Sequence, residues 1–438
     1  MNSRRIALFG VVIVDISLSS KKNEDHKMRL GGVIHAARAA WAAGIDYEVY
    51  YISPEYLKNS VEEYLYAHGC KACNYIGVIN NSPSIILIQD PKEIGNQGYS
   101  LLMSETMNAN LIPFDIANDI SSILIFPGQF NILELISLIK SYNNSAEISI
   151  DIANGIDDTD QLKEIFASDA PFKFIFNSTS HHIKNTDLNE IEEMAAKICY
   201  AYVLKEGRGG GYMIASDGEK IDYASYLRPT VHSVGIGDCF DVILIALFDS
   251  NSRANSLKLA SMIASEYAAT TYPDNFKDNV NKILSSKEAF LNLQGVRLPW
   301  KKRKNIKIYV AAPDFDWVDD RYIREVEESL LYQNFTAYLP IKMNGQINDF
   351  SDRYGIGMIF QKDLDLIHDS QILLGVLLND DHGTLIEIGY AKGLGKHVIV
   401  YDPHRIAKNP FITNLPDFIS YDMEEVINQI YIFGGGDD

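Results

Sequence analysis

Ile372-Leu-Leu-Gly-Val-Leu-Leu378, followed after Asn379-Asp380 by Asp381-His-Gly-Thr-Leu-Ile-Glu387-Ile-Gly-Tyr-Ala391, reads as a strand running into a helix. A continuous apolar run of that length fits a buried strand of a parallel sheet. Asp381 and Glu387 then fall where strand gives way to helix, and in open α/β sheets ligands bind at that edge. Two carboxylates in such a crevice can do sugar chemistry: one attacks an anomeric carbon, the other orients the substrate. A plainer reading stands beside this one. Thr384-Leu-Ile-Glu387 fits a capping box, in which the glutamate only satisfies the N-cap N–H, and Asp381 fits an ordinary turn residue.

The chain has 438 residues, enough for two or three domains with their own cores. Its formal net charge of −19 argues against a nucleic-acid backbone or an anionic membrane as partner. Phosphorylated small molecules remain open, because helix N-termini hold them locally. Four cysteines are too few for a disulfide framework, and Cys70-Lys-Ala-Cys73 has no second pair to suggest zinc or redox chemistry. Arg4-Arg5 ahead of Ile6–Val14 mimics a signal peptide, but Asp15 interrupts the run, which reads as a first strand. No run reaches transmembrane length, and a cytoplasmic protein is expected. His181-His182, His368 and His404 show no ligand spacing, so no metal site is expected from them.

Apolar runs and helical stretches alternate along the chain. Strands are expected at Ile6–Val14, Ser84–Ile88, Ile123–Phe126, Ile148–Ile152, Phe172–Phe176 and Ala201–Leu204. Helices are expected at Gly32–Ala43, Ile132–Tyr142, Leu188–Cys199 and Cys239–Phe248. The fold class is α/β, with a mostly parallel sheet covered by helices. Polar stretches after Asp15 and around Asp90–Tyr99 break the rhythm and suggest a small extra sheet or lid. The basic stretch Trp300-Lys-Lys-Arg-Lys-Asn305 reads as a solvated linker. A second rhythm then opens, with Ile306–Ala311, helix Arg321–Tyr332, Ile372–Leu378, helix Thr384–Gly393 and strand His397–Tyr401. The expected division is 1–295, a linker at 296–305, and 306–438, with a frayed tail at Gly434–Asp438.

Gly235-Ile236-Gly237-Asp238 precedes an apolar helix. Its N–H groups can converge on an anion, and Asp238 can take the proton of a hydroxyl that attacks a phosphoryl group. With Gly31-Gly32-Val-Ile-His35 and Val203-Leu-Lys205-Glu-Gly207-Arg-Gly209, this part resembles the ribokinase-like (PfkB) carbohydrate and nucleoside kinases over roughly residues 1–295. The resemblance implies a sugar or nucleoside held by Asp15, Gly31, Gly32 and His35. It also implies Mg2+ and ATP as cofactors, with Lys205, Gly207, Gly209 and Gly235–Gly237 at the nucleotide and its phosphates. His232 stands where the family signature opens with aspartate, His35 where asparagine is usual, and Asn177-Ser-Thr-Ser180 lacks the acid of the family's Asn-x-x-Glu motif. Ser53-Pro54-Glu55-Tyr56 replaces the usual Gly-Asp pair. A kinase fold that binds ligand without transferring phosphate is the alternative, since fold does not fix function.

Ile308-Tyr309-Val-Ala-Ala-Pro313, Asp363-Leu-Asp-Leu-Ile-His-Asp369, Asp381–Glu387 and Gly389-Tyr-Ala-Lys-Gly-Leu-Gly-Lys396 together resemble the nucleoside 2-deoxyribosyltransferases over roughly residues 306–430. The expected whole is a ribokinase-like α/β domain followed by a smaller doubly wound, flavodoxin- or Rossmann-like parallel-sheet domain. The resemblance makes Glu387 the nucleophile on C1′, Asp363 the group that assists nucleobase protonation, Asp381 the residue orienting the deoxyribose near its 5′-hydroxyl, and Tyr309 a pocket residue that positions Glu387. No cofactor is implied for this domain; nucleosides, nucleobases and sugars are its partners. Taken singly, Tyr309 fits core and Asp363 a helix-start charge. Glu387 is placed in the first helical turn, where the dipole would favour its ionised form. Relatives that cleave nucleoside 5′-monophosphates carry a small hydroxyl residue six before the glutamate; Asp381 there implies an unphosphorylated 5′ end. Relatives also lend an asparagine from a neighbouring subunit, implying a homo-oligomer, and Asn414-Leu-Pro-Asp-Phe418 puts phenylalanine at that place.

Overall fold

The computed structural model describes residues 5–18, 27–96, 98–103, 108–128, 130–143, 145–156, 158–168, 171–179, 186–315, 318–345 and 353–435. Ser180, His181, His182 and the tail residues 436–438 lie outside them. The chain divides into two compact units, Met1–Pro91 with Gly98–Arg297, and Lys92–Gln97 with Leu298–Asp438.

The first unit is built on β1 (Arg5–Ser17), β2 (Lys27–Gly32), β3 (Tyr47–Ser53), β4 (Cys73–Asn80), β5 (Ile85–Ile88), β6 (Ser100–Leu102), β7 (Asn108–Leu111), β8 (Ile120–Ile125), β9 (Glu147–Asp151), β10 (Phe172–Ser178), β11 (Cys199–Lys205), β12 (Gly211–Ala215) and β13 (Lys220–Tyr223). The main path runs β13-β12-β11-β10-β9-β8-β1-β3-β4-β7. From β1 the chain steps to β3 on one side and later to β8 on the other, both parallel to it. That reversal makes the C-terminal end of β1 the switch point where an open sheet leaves a crevice. Asp15 lies there. β2 pairs antiparallel and β5 parallel with this same end of β1, and β6 pairs with β5. They form a small extra sheet, which takes in the expected strand at Ser84–Ile88; the described residues of Asp90–Tyr99 form no strand, and residues 19–26 lie outside the described residues.

Two apolar layers flank the sheet. Helices Val33–Ala42, Ile236–Phe248 and Arg253–Ala268 pack on one face through Ile34, Leu244 and Ile263. Helices Ile132–Tyr142, Thr159–Phe166 and Leu188–Ala195 cover the other through Leu135, Leu162 and Ile191. The last of these ends earlier than its sequence pattern suggests. Cys199 already pairs with Phe172 as the first residue of β11, so the chain must turn out of the helix before it.

In the second unit β14 (Lys307–Ala311), β15 (Thr336–Tyr338), β16 (Ile372–Val376), β17 (His397–Tyr401) and β18 (Phe418–Ser420) form an all-parallel sheet in the order β15-β14-β16-β17-β18. Its switch point lies between β14 and β16, beside Tyr309 and the turn after Val376. Residues 298–305 belong to this unit. Within the basic stretch Lys301 and Lys302 are exposed, whereas Arg303 is 1 % exposed, with its guanidinium over the Trp300 and Tyr431 rings. An arginine stem and face of this kind can pack as core while its N–H groups keep a carbonyl partner, here Leu298 O.

Candidate active sites

In the second unit the helix His382–Gly393 follows β16 and packs closely on it. A Cβ on Gly375 would fall 2.6 Å from Ile388 Cδ1, so the glycine permits that approach. Asp381 is the N-cap: its Oδ2 accepts from Thr384 N at 2.7 Å and from Thr384 Oγ at 2.8 Å. This excludes the capping-box reading of Glu387, because Thr384 lies inside the helix and the cap is filled by Asp381. Glu387 instead sits in the second turn. The Tyr309 hydroxyl, reaching from β14, donates to Glu387 Oε1 at 2.8 Å. Asp363, on helix Arg353–Asp369, accepts from Asn344 Nδ2 at 2.7 Å.

The electrostatics differ from the sequence expectation. Burial pushes the Glu387 carboxyl up to about 7; the Tyr309 hydrogen bond opposes this, while Asp363 and Asp381 add to it. The helix dipole therefore does not decide its ionisation, since the dipole acts mainly on the first turn. Asp363 is also raised by burial, against the pull of Asn344 and Lys362. The Tyr309 phenol is raised by burial and by Glu387, so it stays a donor. Tyr309, Asp363, Asp381 and Glu387 thus gather at one sheet edge. Asp417, in the Asn414–Phe418 stretch, is tied to Lys392 and accepts from Val398 N.

In the first unit the sheet end brings together Asp15, Gly31, Gly32 and His35. His35 Nε2 lies 2.9 Å from Asp15 Oδ2, and a Cβ on Gly31 would fall 2.3 Å from the same oxygen. Gly235, at φ 87°, opens helix Ile236–Phe248 without a side-chain cap; Ile236 N donates to Ser233 O, and the next N–H groups of the turn are placed to meet a ligand. A Cβ there would fall 2.3 Å from His35 Cγ, so the glycine is required twice, for conformation and for space. Desolvation and Asp151 push the Asp238 carboxyl up to about 7, against the pull of Lys205. That value suits a general base near neutrality.

Lys205 is placed differently from the other phosphate-site candidates. Its ammonium is buried between Asp151 Oδ2, at 2.9 Å, and both oxygens of Asp241, at 2.9 and 2.8 Å. A Cβ on Gly237 would fall 3.3 Å from Lys205 Nζ, so this ion triad lies against the glycine turn. Gly207 and Gly209 form a short turn beyond β11, with Gly207 at φ 59°. Asn177 spends its amide on Tyr202 and its oxygen on Ser178 N. Among the described residues no group of three His, Cys, Asp or Glu is placed to hold a metal ion, and no helix is long and apolar enough to cross a membrane. Arg29, Ser17, Tyr267, Asp151 and Asp241 are site residues that the sequence reading missed. Only the β1–β2 register, which sets Arg29 opposite Asp15, marks the first of them.

Residues 308–422 match the family model described as nucleoside 2-deoxyribosyltransferase. The first unit is similar in fold to a fructokinase with bound ATP from Xylella fastidiosa, at TM-score 0.52 and 10 % identity, over 65 % of this chain and 99 % of that one. A Burkholderia thailandensis nucleoside kinase in complex with ADP-inosine matches at TM-score 0.49 and 13 % identity, over 67 % and 98 %. The ribokinase-like fold assignment rests on the first of these. A search of curated proteins finds no match.

Proposed function

We propose that the chain is a bifunctional enzyme of nucleoside metabolism. The second unit cleaves or exchanges the N-glycosidic bond of a 2′-deoxynucleoside, and the first phosphorylates a sugar or nucleoside. The observation that carries the first half is the Tyr309–Glu387 hydrogen bond at the switch point of the matched region. The Glu387 carboxylate bonds to C1′ as the C1′–N bond breaks, and the bond's electron pair leaves with the nucleobase. The proton that base needs passes through Asp363, whose carboxyl burial raises. A second base, or water, then attacks C1′ and passes its proton to Asp363, while the C1′–Glu387 bond breaks and frees the carboxylate. The transition state is oxocarbenium-like, so a carboxylate beside the anomeric carbon stabilises it. Chromatography of a deoxynucleoside incubated with and without a free acceptor base separates exchange from hydrolysis. No product in either condition would end this assignment.

Asp381 sets the expected substrate. Its Oδ2 is committed to the cap, which leaves Oδ1 to accept from a 5′-hydroxyl and the carboxylate to repel a 5′-phosphate. Deoxynucleosides should be cleaved faster than their 5′-monophosphates. Asp381→Ser keeps a good N-cap and should move the ratio of kcat/KM toward the monophosphate by about tenfold or more, the worth of one close charge contact. Faster wild-type cleavage of monophosphates would refute this role.

For the first unit, the likeness to an ATP-bound fructokinase supports ATP as phosphoryl donor. The uncapped turn at Gly235–Gly237 fits its phosphates, and magnesium would supply charge neutralisation there. Asp238 takes the acceptor hydroxyl's proton. Asp238→Asn should lower ADP formation roughly 10²- to 10⁴-fold, the range for a lost general base. A second reading, in which this unit binds ligand and regulates the other without turnover, is favoured by Asn177 being held by Tyr202 and Ser178. Calorimetric binding of nucleotide or nucleoside with no ADP formed would establish it.

A further inference from the structure

The polar cluster around Asp15 has a defined direction of donation. Arg38 Nη1 donates to the Tyr267 hydroxyl at 2.6 Å, and arginine cannot accept. Tyr267 therefore turns its own proton to His35 Nδ1, 2.7 Å away. His35 must then carry its ring proton on Nε2 and donate it to Asp15 Oδ2. The same logic runs through a second histidine. Arg29 Nη2 donates to His232 Nδ1 at 2.8 Å, so His232 Nε2–H donates to Ser17 Oγ at 2.6 Å. Burial holds both rings neutral, His35 at about 4 and His232 at about 3. Each histidine is thus a fixed donor set by an arginine behind it.

What remains unmatched defines a ligand. Asp15 is 1 % exposed, yet its Oδ1 has no partner, and the buried Arg29 Nε has none either. The two residues face each other across the β1–β2 register, with Arg29 Nε 3.8 Å from Asp15 Oδ2. Ser17, two residues along the same strand face, still has its hydroxyl proton to give. The wall therefore offers two donors, Arg29 Nε–H and Ser17 O–H, and one acceptor, Asp15 Oδ1. The charges lean the same way. Among the described residues Arg29 and Arg38 are both buried or nearly so, and Asp15 is the one carboxylate paired with either. A neutral polyol would leave one guanidinium uncompensated in low-dielectric surroundings, which is costly.

We propose that this site takes an anionic sugar, placing a hydroxyl on Asp15 Oδ1 and a carboxylate or phosphate oxygen against Arg29 and Ser17. Arg29 is then the residue that selects for charge. The inference rests on the reading of the first unit as a sugar-binding unit, and it names the ligand class within that reading. Calorimetry on the full chain with D-ribose, D-ribose 5-phosphate and D-gluconate tests it. At least one of the two anions should bind about tenfold or more tighter than ribose, and which one does so distinguishes phosphate from carboxylate. Arg29→Met should remove that preference, and Arg29→Lys should keep part of it by retaining charge without the planar fork. Equal binding of ribose and both anions to the wild type overturns the proposal while leaving a sugar site in place. An anion preference that survives in Arg29→Met also overturns it. Binding of none of the three removes both the proposal and the sugar reading beneath it.

Discussion

Glu387→Gln should abolish cleavage of the N-glycosidic bond, by roughly 10⁴-fold or more, the scale expected when a covalent nucleophile is removed. The glutamine can still accept from the Tyr309 hydroxyl, so the loss would be chemical. Two further readouts separate this from damage to the fold. In the wild type kcat/KM should rise with pH through about 7, because the nucleophile must ionise and Glu387 is held that high by burial and by Asp363 and Asp381. Glu387 and Asp363 interact, so the observed value belongs to the pair. The second readout is stability. The Glu387 carboxyl is raised in the folded state from 4.5 to about 7. Its neutral form is therefore favoured by folding, and the associated stability is present below pH 4.5 and lost between 4.5 and 7. The size is about 3 kcal/mol, from the free energy per pKa unit. Glu387→Gln should escape this loss and melt several degrees higher than wild type at pH 8, with the two converging near pH 4. A variant that loses activity and also melts lower at pH 8 would mean that Glu387 is a structural residue.

The four residues proposed for the glycosyl site came from the resemblance, whose motifs fall in short, strongly patterned segments. Tyr309 and the run before Asp381 lie on apolar strands, and Glu387 lies on the helix that follows. Their chemistry was less legible than their position. Whether Thr384 or Asp381 caps the helix depends on backbone geometry: Asp381 has φ −76° and ψ 117°, an extended cap conformation, while Thr384 is already helical. Shifting the start of the helix by three residues moves Glu387 out of the first turn, and the expected dipole effect goes with it. Burial then decides, and burial is a property of the packed unit. In the first unit Asp15, Gly31 and His35 were implied by the resemblance, but Arg29 was not. Arg29 lies in a six-residue strand whose register against β1 no local pattern declares. β3, Tyr47–Ser53, was also absent from the expected strands, although every residue of it is buried. With both faces covered it shows no alternation, and its tyrosines and Glu48 disguise a core strand as a polar one. Arg303 is the converse case: a basic run predicts solvent, yet one arginine of it is core.

Lys205→Met should destabilise the first unit by about 3–5 kcal/mol, the cost of breaking a buried ion pair by removing one partner. The ammonium is held by Asp151 and by both oxygens of Asp241, and Asp241 is itself fully buried. Methionine fills much the same volume but leaves two desolvated carboxylates facing each other. Burial already raises the Asp241 carboxyl well above its usual range, and Lys205 is the main group opposing that. Without the lysine, protonation of one carboxyl becomes the cheapest remedy, so the deficit of Lys205→Met should shrink as the pH is lowered. Lys205→Met/Asp241→Leu removes a charge of each sign and should recover most of the loss, since apolar replacement of a buried pair is often close to neutral. Urea unfolding at pH 8 and pH 5 measures all three proteins. Lys205 also pulls the Asp238 carboxyl down, against desolvation and Asp151. Its removal should therefore raise Asp238 further and move the rising limb of ADP formation to higher pH. A stability loss with an unmoved pH profile would assign Lys205 to the fold alone; a shift in the profile would make Lys205 part of the device that sets the base.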